Sequence, residues 1–267
     1  MVPLDAICGT LAQIAPLRLA ESWDNVGLLV GDRRQSVTKV MTCLTVTPCV
    51  VDEAIGEQAD LIVVHHPLPF QPLKKITSDS VSGAMLLKLI AGNVAVYSAH
   101  TAFDSAVEGI NQMWAERLGL QKIEPLVPVD SEQGDVAVGA GRIGRLEQPT
   151  TLAQLIHEAA ASVGATLVRK VGERDQAVTK VALACGSGGS FLAAAKRRGC
   201  DAMITGEATF HACLEAESNG IGLGLLGHYW SERFAMERLA DRLSGEFPPL
   251  TIWPSRDEHD PISPLDR

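Results

Sequence analysis

Apolar residues recur at Leu4, Ile7, Cys8, Leu11 and Ile14, a spacing of three and four that predicts an amphipathic helix over 4–17. Short runs rich in Val, Leu and Ile follow at 26–30, 37–46, 61–64 and 94–97; they are too short for helices and are bounded by charge, Gly or Pro, so they read as strands. Helical spacing separates or follows them at 49–58, 80–91 and 109–118. The alternation restarts at 178, with strands expected at 178–184, 202–205, 222–226 and 250–253 and helices at 190–198, 209–218 and 231–243. Strands alternating with helices predict an α/β protein. Laid over each other, Lys39-Val-Met-Thr-Cys43 matches Lys180-Val-Ala-Leu-Ala-Cys185, Asp60-Leu-Ile-Val-Val64 matches Asp201-Ala-Met-Ile-Thr205, and Val94-Ala-Val-Tyr97 matches Leu223-Gly-Leu-Leu226. We read two related, linked α/β halves, although a shared β-α-β rhythm without duplication fits the same pattern.

Between the halves the chain is richer in Gly, Pro and charge, with a strand expected at 136–146 and a helix at 152–163. The expected organisation is a first half over 1–125, a small central insertion over 126–177, and a second half over 178–267. Three prolines and alternating charges from Pro254 onward predict a loose tail.

Composition narrows the class of function. Of 267 residues, 46% are hydrophobic and 21% charged, which is too apolar for disorder. No apolar run approaches the ~20 residues of a membrane span. A formal net charge of −9 argues against general nucleic-acid binding, which needs a basic surface. The six cysteines lack CxxC spacing and read as free thiols; with no basic-then-apolar leader at the amino terminus, the expected location is cytoplasmic.

The candidate chemistry lies at strand ends. His65 and His66 close the run Leu61–Val64 ahead of Pro67, as metal ligands or as a loop pair. Both rings can face one site only if the backbone leaves regular extension near His66. After the 94–97 strand comes His100-Thr-Ala-Phe-Asp104, and after the 222–226 strand comes His228-Tyr-Trp-Ser-Glu232: in each, a histidine four residues before a carboxylate. The second pair fits a helix-start hydrogen bond or a ligand set. Together His65, His66, Asp104, His228 and Glu232 offer N and O donors suited to zinc, iron or manganese, and five donors suit two ions sharing a carboxylate better than one tetrahedral ion. Glu207 and His211 follow the 202–205 strand; His211 reads as a proton donor, a substrate contact or a partly exposed helix-start residue, and His100 as support for Asp104 or a substrate contact. Cys185-Gly186-Ser187-Gly188-Gly189-Ser190 joins a strand to a helix, where backbone N–H groups could cradle an anion; a tight turn that needs small residues is the competing explanation. Trp23-Asp24-Asn25 reads as a polar turn by a site or as a buried tryptophan anchoring an Asx-turn.

The stretches Trp23-Asp-Asn-Val-Gly27, His65-His66-Pro-Leu-Pro-Phe70, His100-Thr-Ala-Phe-Asp104, Gly206-Glu-Ala-Thr-Phe-His211 and Gly227-His228-Tyr-Trp-Ser-Glu232 resemble, in order, the motifs of the Nif-three-like family, also labelled GTP cyclohydrolase type 2-like. The resemblance implies that His65, His66, Asp104, His228 and Glu232 bind two divalent metal ions per chain, with Glu232 or Asp104 as the bridge. It also implies a site in the cleft between two α/β domains, and ring-shaped homo-oligomers, commonly hexamers. Two departures stand out: Gly206-Glu207 where the family usually has Gly-Asp, and Thr45 where its first strand often ends in Asp.

The expected function is a dinuclear metal-dependent hydrolase of a nucleotide-like or small polar substrate. In the GTP cyclohydrolase version a metal-bound hydroxide attacks carbon eight of guanine and the ring opens with loss of formate. His211 and His100 are the expected proton-transfer residues, and Gly186, Ser187, Gly188 and Glu207 the expected substrate contacts. The competing class is a non-catalytic metal-binding or protein-interaction protein.

Overall fold

A computed structural model of the chain describes residues 1–129 and 138–264. The chain divides into two compact units, one formed by 1–103 with 235–261 and the other by 104–234 with the residues from 262 onward.

The first unit begins with a two-residue pairing of β1 (Val2–Pro3) with β3 (Ser36–Val37) and the helix α1 (Leu4–Ile14), whose Leu4, Ile7, Cys8, Leu11 and Ile14 are buried as the periodicity requires. Its main sheet has the order β13-β4-β5-β6-β2. The strands are β2 (Gly27–Val30), β4 (Lys39–Thr45), β5 (Leu61–His66), β6 (Ala95–Ser98) and β13 (Thr251–Pro254). All pairings are parallel except that of β2 with β6. Parallel strands are covered on both faces, which is why β5 is a continuous apolar run, buried from Leu61 through Val64. Helices α2 (Pro48–Gly56) and α3 (Val81–Ala91) are capped by Thr47 and Ser80, and pack Val50, Val51, Ala54, Met85, Leu86 and Leu89 against Met41, Cys43, Ile62 and Val64.

In the second unit the sheet order is β7-β8-β10-β11-β12-β9. It comprises β7 (Gln121–Val129), β8 (Val138–Thr151), β9 (Arg169–Val171), β10 (Ala177–Ala184), β11 (Ala202–Thr205) and β12 (Gly222–Leu225). Only β10, β11 and β12 run parallel. The helices α5 (Ile110–Arg117), α6 (Leu152–Val163), α7 (Leu192–Arg197) and α8 (Phe210–Ser218) accompany it. Leu192, Ala195, Ala216 and Leu223 pack with Ala182, Ala184 and Met203 in its core. The division between units falls inside two further helices, α4 (His100–Ser105) and α9 (His228–Glu246).

Side-chain hydrogen bonds show how closely the halves repeat. Asp60 Oδ2 accepts from the backbone N–H groups of Thr38 and Lys39, and Asp201 Oδ2 from those of Thr179 and Lys180. Gln35 Nε2 donates to the carbonyls of Asp60 and Asn93, and Gln176 Nε2 to those of Asp201 and Gly220. Lys39 Nζ donates to Glu57 O as Lys180 Nζ does to Arg198 O. A β-α-β rhythm alone does not require the same three side chains at the same three joints, so the duplicated-half reading is the better one.

Three expectations change. The 126–177 segment is not a separate insertion: its strands β8 and β9 flank β10 and β12 in the second sheet. The expected 136–146 strand runs over Val138–Thr151, its first two expected positions lying outside the described residues. The last strand belongs to the first unit, where Thr251–Pro254 pairs with Lys39–Thr42. Beyond it the tail is anchored rather than loose. The Glu53 carboxylate, 8% exposed, accepts from Trp253 Nε1, Ser255 Oγ and the N–H groups of Arg256 and Asp257. Glu258 accepts from Leu44 N and Thr45 N at 2.9 and 2.6 Å.

Candidate metal centre

In the first unit β5 extends through both histidines, with His66 still in register opposite Thr45. The backbone therefore does not leave the strand before His66. The two rings nonetheless lie 5.0 Å apart between centroids, tilted by 55°. His65 is 2% exposed and His66 partly exposed. His66 Nδ1 sits 2.7 Å from Thr45 Oγ1, so a hydroxyl, not a carboxylate, faces the ring from the end of β4.

His100 completes a cluster: its ring centroid is 5.1 Å from that of His65 and 5.5 Å from that of His66, and one ring nitrogen from each of the three lies within 4.8 Å of the others. The backbone at His100 has φ of 26°, a strained value for a residue with a Cβ. Asp24 holds it there. The Asp24 carboxylate, with a side chain wholly shielded from solvent, is 2.8 Å from His100 Nδ1 and accepts from Thr101 N and Oγ1. Burial pushes the Asp24 pKa upward, but the hydrogen bonds from His100 and Thr101 outweigh it and bring the pKa down to about 2. An ionised Asp24 accepts from Nδ1–H and so leaves the lone pair of His100 on Nε2. Trp23 and Phe70 pack their rings 6.0 Å from His100, and Trp23 is 57% exposed rather than buried.

In the second unit α9 opens at His228 itself, so His228 and Glu232 stack one turn apart on one helix face. His228 Nε2 is 3.1 Å from Glu232 Oε2, while Nδ1 is 3.3 Å from Glu207 Oε2. Burial pulls the His228 pKa down, yet Glu232 first and Glu207 second overcome it and raise it to about 9. Ser231 Oγ accepts from Gly186 N and donates to His228 O. Gly186 has φ of +59°, and a Cβ there would run into the Glu232 carboxylate and come within 3.2 Å of His228 Nε2. The positive φ favours glycine there, and a Cβ would have to displace the Glu232 carboxylate.

Asp104, near the end of α4, accepts from the Cys185 thiol at 3.2 Å. Burial, and then the Asp104 and Glu232 charges, push the Cys185 pKa well up, so the thiol stays protonated. Asn111 Nδ2 donates to Asp104 O and Asn111 Oδ1 accepts from Cys185 N.

The glycine-rich loop is a tight turn and not an anion cradle. Gly186 N is taken by Ser231 Oγ, Gly188 N by Thr205 Oγ1 and Gly189 N by Glu207 O. Gly186 and Gly188 thus have no backbone N–H to offer a substrate. Ser187 and Glu207 remain accessible: they line a cavity of about 630 Å³ with Arg169, Ser190 and His211. His211 is exposed on the first turn of α8, and its recorded ring contact is with Phe210.

A family model described as Duf34/NIF3 (NGG1p interacting factor 3) matches residues 2–261. The chain belongs to the DUF34/NIF3 family. Among DUF34/NIF3 relatives, a Clostridium perfringens protein named GTP cyclohydrolase 1 type 2 homolog is 36% identical over 242 residues, covering 90% of each chain. The Schizosaccharomyces pombe protein NIF3 homolog is also 36% identical, covering 86% of this chain and 85% of its own. The crystal structure of a Bacillus cereus protein related to NIF3 matches with a TM-score of 0.90 at 25% identity over 99% of both chains. Reduced HcgD from Methanocaldococcus jannaschii matches at 0.80 and 25% identity, covering 95% of this chain and 97% of that one. The mixed α/β fold with two related halves is thus that of the DUF34/NIF3 proteins.

Within this DUF34/NIF3 chain, the sequence places Asp24 in a polar turn but does not reveal its bond to His100, the role of Ser231, or the pairing of Cys185 with Asp104. Asp24 lies 76 positions from His100, a separation that no local pattern reports. From the sequence, Cys185 reads only as a free thiol.

Proposed function

We propose that the chain is a metal-dependent hydrolase that holds two divalent metal ions, zinc, iron or manganese, on His65, His66, Asp104, His228 and Glu232, and acts on a small polar, nucleotide-like substrate. The observation that carries this reading is that His66 and His228 each have Nδ1 engaged by an oxygen of their own unit, Thr45 Oγ1 and Glu207 Oε2. Histidines that ligate metals are held in this way by outer partners, which fix the ring and leave Nε2 for the ion. Gly186, whose missing Cβ leaves room for the Glu232 carboxylate beside His228 Nε2, supports the same reading.

Bound at such donors, divalent ions polarise a substrate oxygen and lower the pKa of water. The chain's own part is positioning and proton transfer. Asp24 keeps the proton on Nδ1 of His100, so Nε2 is the atom that takes a proton from water or returns it to a leaving group. Glu207 and Ser187, joined at 3.1 Å, contact the polar part of a substrate in the 630 Å³ cavity, with His211 as a second proton donor at its rim. GTP is the first substrate to assay, since relatives carry the name GTP cyclohydrolase 1 type 2 homolog. We further propose that the protein is cytoplasmic and forms a ring-shaped homohexamer. Sedimentation equilibrium tests the assembly, and a monomer in solution would refute it.

The experiment is metal analysis joined to turnover. Purified protein is expected to carry about two ions per chain, to open GTP or hydrolyse a phosphoester, and to lose that activity on chelation and in His65→Ala. Fewer than one ion at full occupancy rules out the dinuclear centre, and turnover indifferent to chelation rules out the metal-dependent hydrolase. Full metal content without turnover of any nucleotide points to the non-catalytic metal-binding role.

A further inference from the structure

Trp23 and Phe70 meet at the surface of the first unit. Their ring centroids are 5.9 Å apart with the planes tilted by 50°, and each lies 6.0 Å from the ring of His100, at 75° to it. Trp23 is 57% exposed and Phe70 47%. Single apolar side chains on a surface need no explanation, but two aromatic rings in contact beside a histidine cluster do. The backbone that carries them is tied down. Glu21 N donates to Thr101 Oγ1 and Asp24 N to Glu21 O, both at 3.0 Å, and the shielded Asp24 carboxylate accepts from Thr101 N and Oγ1. Asn25 Nδ2 donates at 2.7 Å to the carbonyl of Pro69, the residue before Phe70, so one amide joins the two segments that bear the rings.

Aromatic pairs in contact have centroids about 4.5–7 Å apart, so Trp23 and Phe70 touch each other and no guest fits between them. They form a platform with an exposed side, not a clamp. A macromolecule seated on that side would cover the histidines that the proposed chemistry needs open, which makes the occupant small. The net charge of −9 likewise disfavours a nucleic-acid strand. We infer that Trp23 and Phe70 form a stacking platform for the planar heteroaromatic base of the substrate, and bring that base beside His100. The inference rests on the proposed nucleotide-like substrate and names the group of it that is recognised. Every base has a π-face, and stacking on an aromatic side chain is tolerant of base identity. The platform therefore selects for a ring and not for one particular base.

The test is titration of the full-length, metal-loaded protein with guanosine, adenosine and ribose 5-phosphate, followed by tryptophan fluorescence and by calorimetry. Both nucleosides are expected to quench the exposed Trp23 and to bind within a few-fold of each other, whereas ribose 5-phosphate, which has no base, leaves the emission unchanged. Trp23→Leu keeps apolar bulk but removes the π-face, and is expected to weaken guanosine binding about 5- to 150-fold in calorimetry. Trp23→Phe is expected to recover most of the loss, and Phe70→Leu to weaken binding in the same direction. Thermal melting checks that each variant is folded; should Trp23→Leu fail to fold, Phe70→Leu decides. Wild-type affinity for guanosine in a folded Trp23→Leu or Phe70→Leu protein overturns the inference. So does a wild type that holds its metal and binds neither nucleoside, and that result leaves the metal centre standing. Sedimentation in which Trp23→Leu breaks up an assembly also overturns it, since the rings are then a contact between copies. Nucleoside binding with less than one metal ion per chain leaves the platform intact and removes the dinuclear centre.

Discussion

Thr45 Oγ1 stands 2.7 Å from Nδ1 of His66, across the parallel pairing of β4 with β5. A neutral hydroxyl fixes the ring as a carboxylate does, but makes the imidazole less basic. Thr45→Val removes the orienting bond at nearly constant volume. We expect it to weaken metal binding about 10-fold while changing stability by about 1 kcal/mol, measured by chelator competition and by urea unfolding.

Gly186→Ala tests the fit between the turn and the donor pair. The positive φ costs about 1 kcal/mol with a Cβ, and the new methyl displaces Glu232. The expected outcome is a modest fall in melting temperature together with loss of metal out of proportion to it. Unaltered metal content in a folded Gly186→Ala protein contradicts the placement of Glu232.

Arg142 is a buried cation whose recorded hydrogen-bond partners are three backbone carbonyls and one amide oxygen, and burial lowers its pKa to about 10. Arg142→Met is expected to cost about 3 kcal/mol, because it orphans the carbonyls of Ala106, Gly139 and Gly141. Equilibrium denaturation reads the loss.

Asp24 gives the acid limb of stability. Its pKa in the folded chain, about 2, lies below the ordinary 3.8, so its contribution is present above pH 4 and is lost as pH falls from about 4 toward 2. Wild type is expected to lose on the order of 2 kcal/mol to this group over that window. Asp24→Asn is expected to be less stable at pH 6, and its melting curves to change less between pH 5 and pH 2.

The central strands and helices were legible because burial on both faces writes itself as apolar runs, as at Leu61–Val64, and because the repeat placed Asp60 and Asp201 at equivalent joints. Edge strands were not. Pro125 and Pro128 sit in β7, at the edge of its sheet, where a strand tolerates a residue without an N–H, although proline is elsewhere a strand breaker. The positions of His65, His66, His100, Asp104, His228 and Glu232 at strand ends were visible from the sequence. Their partners were not, because Asp24, Thr45 and Glu207 each act across at least 20 residues of separation. The anchored tail escaped for the same reason: Glu53 meets Ser255 over 202 positions, and the polar residues that suggest a loose end are the donors that tie it down.

The return of β13 to the edge of β4 orders events during synthesis. Residues 104–234 leave the ribosome as an unbroken stretch containing every strand of the second sheet, whereas the first sheet lacks its edge strand, and Glu53 its donors, until residues 251–257 emerge. The amino-terminal unit is therefore the last to be completed, and a ribosome that stalls before residue 251 leaves exposed the half of the protein that was made first.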